Sequence, residues 1–440
     1  MNKRRFSLSE KQLGYVMVAP SLVLIAVIVL WPIALSFWNS LFDYRLNDPA
    51  LSQRTLGSEV NLERYADNYD FVNMTMDELL QSSINDETTT AVSDIEEGLN
   101  ERHETFLSTS EHEEKYEEVL ETVQSHYAVK DESLKYVSID EELKEEYSTY
   151  LTSESDRLAS LSNEQSGEAA RLLSELSGQM KLMESSFMKE NFVGLSNYTS
   201  YFQESRLWQS IGVTSLFTVV SVFFELILGL AIALLINRAF IGRGAVRASV
   251  LIPWAIPTAV SAMIWKFLYD GQSGVIAHYF EQLGFIQDAG QLLTTSAGAI
   301  FSVIFSDVWK TTPYMALLLL AGLQTIPHQL YESAQVDGAN AWHRFYKITL
   351  PMLKSTILVA LLFRTLDAFR VFDLIYVLTG GGPANATEAV SVYAYKILFA
   401  QQNFGAGSAL SVVVFICVAI ISTLFIRFIG SDLFSGKVKG

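Results

Sequence analysis

The sequence predicts an all-α, polytopic membrane protein: six transmembrane helices, both termini cytoplasmic, and a helical extracytoplasmic insert. Three observations predict it. Six apolar segments are long enough to cross a bilayer, Lys and Arg recur in alternate loops between them, and the acidic residues are gathered into one stretch.

A hydrocarbon core of roughly 30 Å needs about 20 apolar residues as helix. The qualifying segments are Leu13–Phe37, Trp208–Ile236, Ala248–Tyr269, Ala297–Leu323, Ser355–Leu378 and Gly407–Ile426. Helix is the form expected of each, because lipid leaves no other way to satisfy the backbone. Cytoplasmic loops are enriched in Lys and Arg. Lys3, Arg4, Arg5 and Lys11 therefore place the N-terminus inside. Arg238, Arg243 and Arg247 follow the second span, Arg344, Lys347 and Lys354 the fourth, and Arg427, Lys437 and Lys439 the sixth. On the other side, Asp270–Gln291 has no Lys or Arg, and Thr379–Ala406 has only Lys396.

The chain of 440 residues is half hydrophobic and carries a net charge of −17. Residues 39–206 hold 36 acids and 13 bases, whereas the remainder holds 12 acids and 18 bases. A mildly basic membrane body thus carries one strongly acidic insert. The expected divisions are a tail and first span (1–38), the insert (39–206), a five-span core (207–430) with a cytoplasmic loop at 327–351, and a cytoplasmic tail (431–440). Within the insert, Tyr116, Val119, Leu120 and Val123, and likewise Leu172, Leu173, Leu176, Met180 and Met183, recur at helical spacing. Ser108–Ser110 and Ser166-Gly167 look like breaks, and Asp86–Asp94 like a loop. The insert is either a solvated spacer or a docking surface for a soluble partner.

Cys417 is the only cysteine, so neither an internal disulfide nor a cysteine-based metal site is expected. The basic N-terminus raises the question of a cleaved signal. The uncharged stretch after it, Gln12–Phe42, is 31 residues long and ends among bulky aromatic residues, which favours a retained anchor. No G-x-x-x-x-G-K-[ST], H-E-x-x-H or G-x-S-x-G motif occurs, and the six histidines form no ligand-like cluster. Neither an enzyme nor a metal or nucleic-acid site is therefore expected, and without a phosphate loop the chain is not expected to hydrolyse ATP itself.

The stretch Tyr331–Pro351 carries the clearest functional signal. Pro327 stops the incoming helix. Gln329–Val336 and Ala341–Ile348 read as two short helices joined at Gly338, the second closed by Leu350-Pro351. By itself this is a surface loop. Its pattern, however, resembles the cytoplasmic coupling motif of permease subunits of binding-protein-dependent ABC importers. Glu332, Ser333 and Ala334 match the acidic-small-small core. Asp337, Gly338 and Ala339 follow in register, then Phe345, Ile348, Leu350 and Pro351. Ser333 stands where Ala is usual. The resemblance runs from about Asn191 onward and is nearest to sugar permeases of the maltose/trehalose type, with support from Val193–Tyr198, Ile252–Pro257 and Leu378–Pro383.

The resemblance implies a loop seated in a cytoplasmic ATPase dimer that holds the ATP and Mg, this chain having no cofactor of its own. It also implies a second permease subunit as heterodimer partner, an extracytoplasmic solute-binding protein near Gly380, Gly381, Gly382 and Pro383, and a bacterial or archaeal plasma membrane. The implied cargo is a di- or oligosaccharide, with other solutes open. Candidates for the substrate path are Trp254, Asp307, Trp309, Lys310, Thr311 and Tyr314, which combine hydrogen-bonding groups with aromatic rings, and Arg364, Asp367, Arg370 and Asp373. These last four are three residues apart and alternate in sign, so they also suit a structural ion-pair ladder against the partner permease. Glu225 and Lys266 are equally readable as structural or interfacial. An ion-driven carrier would show inverted repeats around broken helices, and a receptor would act without any ATPase; both remain alternatives.

Overall fold

The computed structural model describes residues 9–82, 84–238 and 240–434, so Lys3, Arg4, Arg5, Lys437 and Lys439 of the charge pattern lie outside the described residues. Two compact units are present. One is the chain up to Asn197 with Gln401–Ala406; the other is Tyr198–Ala400 with the chain from Gly407.

The first unit begins with α1 (Glu10–Ile25), which passes through a π turn, Ala26–Leu30, into α2 (Trp31–Asn39). Leu13–Asn39 is long and apolar enough to cross a membrane, and none of its most apolar stretch is buried. A helix apolar on all sides suits lipid rather than water. Beyond it lies the insert: β1 (Glu59–Asn61), α3 (Leu62–Gln81), α4 (Asp86–Leu107), α5 (Ser110–Gln124), α6 (Glu132–Lys135), β2 (Tyr136–Ser138), α7 (Glu141–Glu164), α8 (Glu168–Glu184) and β3 (Phe187–Met188). The strands form a small antiparallel sheet in the order β2-β1-β3, with Val60 opposite Val137 and Phe187. The helical class therefore stands with one small sheet added.

Asp86–Asp94, expected as a loop, is the start of α4. The Asn85 side chain accepts from the Thr88 backbone N–H and supplies the cap that starts a helix. Ala91, Val92, Ile95 and Leu99 then face the core together. The acids Asp86, Glu87 and Asp94 occupy the exposed side, and the run of polar residues is why composition alone suggested a loop. The breaks at Ser108–Ser110 and Ser166-Gly167 are present. The core is apolar and aromatic: Val60, Tyr65, Val72, Met76, Val92, Leu99, Val119, Tyr147, Leu151, Leu172, Leu176 and Met180 are all buried. Each large side chain removed from water contributes about 1.5–3 kcal/mol.

The chain continues through α9 (Ser196–Gln203) into α10 (Ser205–Asn237), α11 (Arg243–Val250), α12 (Ile252–Ala255), α13 (Thr258–Leu268), α14 (Val275–Gln282), α15 (Gln291–Thr294) and α16 (Ser296–Gln324). Next come α17 (His328–Val336), α18 (Ala341–Arg344), α19 (Leu350–Phe369), α20 (Asp373–Leu378), α21 (Val390–Tyr395) and α22 (Phe404–Phe434). Besides the first span, Ser205–Asn237, Ala341–Phe369 and Phe404–Arg427 are long and apolar enough to cross a membrane.

Three of the expected spans differ in detail. The third is three helices, because Pro257 pushes Ile256 into extended backbone (φ −72°, ψ 131°). The fourth, α16, is 29 residues long but carries Asp307, Lys310 and Thr312, which face protein and are buried. The fifth starts earlier and ends sooner than Ser355–Leu378. It runs as helix from Ala341 through a π turn, Phe345–Thr349, to Phe369.

Candidate functional site

The loop at 327–351 is built from capping chemistry. Pro327 takes extended backbone ahead of α17, as expected for a stop. At the other end Gly338 has φ +80°, the left-handed region that a side chain disfavours. The Gly338 N–H bonds to the Gln335 carbonyl at 3.1 Å, and the Ala339 N–H to the Ala334 carbonyl at 2.8 Å. This paired closure satisfies the last carbonyls of α17 and reverses the chain. Asn340 then caps α18, accepting from the His343 N–H at 2.9 Å. The two helices are tied by Tyr331 and Thr349, whose hydroxyls are 3.0 Å apart, and by Arg344 donating to Gln335 at 3.2 Å.

The second helix does not close at Leu350-Pro351, contrary to expectation. Proline lacks the N–H that an unbroken α-helix requires there. The preceding π turn changes the hydrogen-bond spacing, and Pro351 falls in the first turn of α19. Trp31-Pro32 follows the π turn of the first span in the same manner.

Among the residues expected to couple to an ATPase, Glu332, Ser333, Asp337, Gly338 and Pro351 are exposed, while Ala334, Ala339, Phe345, Ile348 and Leu350 are half-buried. Val336, Trp342 and Tyr346 are uncovered, at 88%, 69% and 57% exposure, and Trp342 stacks on Tyr346. None of α17 is buried. The Glu332 carboxylate meets His328 at 3.1 Å and otherwise faces solvent.

Behind the loop, α10, α16 and α19 meet at a buried ionic cluster. Arg364 Nε donates to Glu225 Oε2 at 2.6 Å and Nη2 to Glu225 Oε1 at 2.9 Å. Nη2 also meets Asp307, and Nη1 donates to Asp367 at 3.1 Å. The Thr311 hydroxyl lies 2.7 Å from Glu225 Oε1. Glu225 and Arg364 are almost fully buried, and the Asp307 side chain is 8% exposed. Buried ions of this kind persist only when paired and hydrogen-bonded throughout.

The alternating row on the fifth span is thus divided. Arg364 and Asp367 join the cluster, while Arg370 and Asp373 lie at the break between α19 and α20, both exposed. Within this chain the helix ends at Phe369, before the row is complete, and the partners of Arg364 come mainly from other helices. Glu225, left undecided by sequence, is central; its signal was a lone charge in an otherwise uncharged span. Lys310 is 7% exposed. Trp254 stacks on Tyr314, with ring centroids 5.7 Å apart. Trp309 is 39% exposed and packs edge-on against Trp265. Lys266 reaches the Val377 carbonyl at 3.4 Å.

Gly380 and Gly381 take φ of +62° and +87°, and Gly382 and Pro383 are half-buried in the same turn. Thr387 closes it, donating from its hydroxyl to the Gly382 carbonyl at 2.7 Å and from its N–H to the Gly381 carbonyl at 3.2 Å. Glu388, fully buried, accepts from Arg206 at 2.8 and 3.0 Å and from Lys396 at 2.7 Å. Burial by itself raises the Glu388 carboxyl. The hydrogen bonds from Arg206 and Lys396 outweigh it and hold the group below the usual carboxylate range. Sequence reasoning missed this residue. Its signal was that Glu388 and Lys396 are the only acid and base in residues 374–403.

Residues 225–434 match the family described as "Binding-protein-dependent transport system inner membrane component". The chain is 47% identical over 236 residues to the trehalose/maltose transport system permease protein MalF of Thermococcus litoralis, covering 54% of this chain and 79% of that protein. It is 46% identical over 249 residues to the trehalose transport system permease protein SugA of Mycobacterium tuberculosis H37Rv, covering 57% and 78%. A chain of the bacterial alginate ABC transporter, solved with an alginate pentasaccharide-bound periplasmic protein, superposes with a TM-score of 0.50 at 24% identity, covering 56% of this chain and 85% of that one. This last likeness bears on the fold alone.

Proposed function

We infer the function from one premise: this chain belongs to the family of binding-protein-dependent transport system inner membrane components. It is the multi-pass membrane subunit of an ATP-binding-cassette importer. Its cargo is a sugar, for which trehalose and maltose are the first compounds to test, since two relatives of nearly half-identical sequence are named for them.

The observation that carries this reading is the loop. An exposed pair of short helices, reversed at Gly338 and tied by Tyr331–Thr349, presents Val336, Trp342 and Tyr346 with nothing covering them. An apolar face on rigid, capped elements suits a protein socket. ATP and Mg belong to that socket, a separate ATPase dimer, and this chain has no ATPase site of its own. A second permease completes the path as a heterodimer in the plasma membrane of a bacterium or archaeon, and a binding protein delivers sugar beside Gly380–Pro383.

In operation, closure of the ATPase dimer moves α17 and α18. The continuous helix from Ala341 to Phe369 carries that movement into the membrane. The Arg364 cluster ties α19 to α10 and α16, so the three move together. Affinity purification in mild detergent tests the assembly: a P-loop ATPase and a second permease should be recovered with this chain. Their reproducible absence would reject the reading.

A further inference from the structure

We propose that the turn between α10 and α11 is a docking site for the phosphate headgroups of anionic lipids, in the leaflet on the side of the loop at 327–351. The proposal goes beyond the transport reading and does not depend on the cargo. Helix packing places the site. The Thr311 hydroxyl of α16 donates to Glu225 of α10, and Gly229, one turn further on, packs against Met315, also one turn on. The two helices therefore run in the same direction. The end of α10 at Asn237 and the end of α16 that leads to Pro327 lie on one side. The apolar run of α10 continues to Ile236. Arg238 thus begins where the hydrocarbon core ends.

Arg238, Arg243 and Arg247 gather at this turn. Gly242, at φ +85°, turns the chain into α11. Arg247 Nη2 then donates to the Ile236 carbonyl at 3.2 Å, which folds α11 back on the end of α10. Arg243 and Arg247 are four residues apart and share one face of α11. Arg238 is exposed and Arg243 half-buried, and neither forms an ion pair or a side-chain hydrogen bond among the described residues. No acid occurs between Glu225 and Asp270, so no neighbour in the chain neutralises them. Between the arginines, Phe240 is 41% exposed and Ile241 is completely uncovered.

Apolar side chains flanked by arginines form an interfacial anchor: the apolar groups enter the acyl boundary and the cations meet phosphate. A guanidinium forks onto two phosphate oxygens at once. Two observations favour the leaflet over a soluble partner. The patch continues directly from a helix long and apolar enough to cross the membrane, and its charge is opposite to that of an anionic leaflet.

Brominated lipids give a direct test. Ile241→Cys, in a Cys417→Ser background that leaves this chain one thiol, is labelled with a fluorophore before the transporter is assembled. The complex is placed in phosphatidylcholine nanodiscs containing a brominated guest lipid. Brominated phosphatidylglycerol should quench the fluorophore more than brominated phosphatidylcholine at the same mole fraction. Arg238→Gln and Arg243→Gln should each lower that selectivity about fivefold. Arg238→Lys and Arg243→Lys, which keep the charge, should retain most of it. Salt at about 1 M, where the screening length falls to about 3 Å, should remove most of it. Equal quenching by the two guests would overturn the proposal, because apolar insertion alone would account for it. No quenching by either guest would also overturn it, placing the turn in water. Quenching confined to complexes stripped of their ATPase would assign the patch to that subunit and reject the lipid site.

Discussion

Arg364 shows how one residue can decide the stability of three helices. It neutralises Glu225 from α10 and Asp307 from α16, and without it two carboxylates would face each other in a dry interior. Arg364→Met should therefore destabilise the protein by about 3–5 kcal/mol, read as a lower unfolding temperature in detergent. Adding Glu225→Leu and Asp307→Leu should restore most of the loss. An Arg364→Met protein that melts like wild type would show that the cluster is wet. His103 in the insert supplies a second residue-scale prediction. It stacks on Tyr69 at 3.9 Å and lies 2.9 Å from the Tyr65 hydroxyl, and burial pushes its pKa down to about 4. The unfolded chain takes up this proton near pH 6.5, well before the folded one does. Its contribution is thus complete above pH 6.5 and is lost as pH falls toward 4. Urea unfolding of the insert should weaken across that window, and His103→Gln should flatten the slope. An unchanged slope would place the titration elsewhere.

At the scale of elements, the turn between α17 and α18 depends on one backbone angle. Proline cannot reach the φ of +80° at Gly338, so Gly338→Pro should open the turn and abolish both transport and stimulated ATP hydrolysis. Gly338→Ala should cost only about 1–2 kcal/mol, the strain of a left-handed residue. Glu332→Lys reverses an exposed charge without touching the fold and should also uncouple the two activities. Unchanged uptake in membrane vesicles by Gly338→Pro or Glu332→Lys would sink the coupling role. The loop's existence, its opening proline and its glycine joint were legible in sequence, since each rests on a local rule. Its far boundary was not. Pro351 is normally a terminator, and the π turn that accommodates it leaves no compositional mark.

The chain divides into two units, one holding the first span and the acidic insert and the other the remaining apolar helices, and the insert and the second unit each have a core of their own. The insert has capped helices, a small sheet, and a buried core of its own. Residues 54–190 expressed alone should therefore fold cooperatively, with a stability of about 5–15 kcal/mol. A broad, non-cooperative urea transition would refute an independent fold. A charge total for the entire chain conceals this division; counting by segment exposes it.

The sequence by itself determined the helical, membrane-spanning class, the sidedness expected of the loops, the acidic insert and the hinged loop at 327–351, which only its resemblance to a family makes a coupling motif. These follow from hydrophobic run length, charge placement and local capping, which are properties of neighbouring residues. Tertiary structure decided the rest. It took Glu225 from an undecided charge to the centre of a cluster and buried Glu388 between Arg206 and Lys396. It also divided the row Arg364, Asp367, Arg370 and Asp373, burying Arg364, pairing the exposed Asp367 with it, and leaving Arg370 and Asp373 exposed outside the cluster. The pairs Glu225–Arg364 and Arg206–Glu388 are 139 and 182 residues apart in the chain. Whether a charge in an apolar helix is neutralised or left facing water depends on which distant helix packs against it, and no local pattern records that.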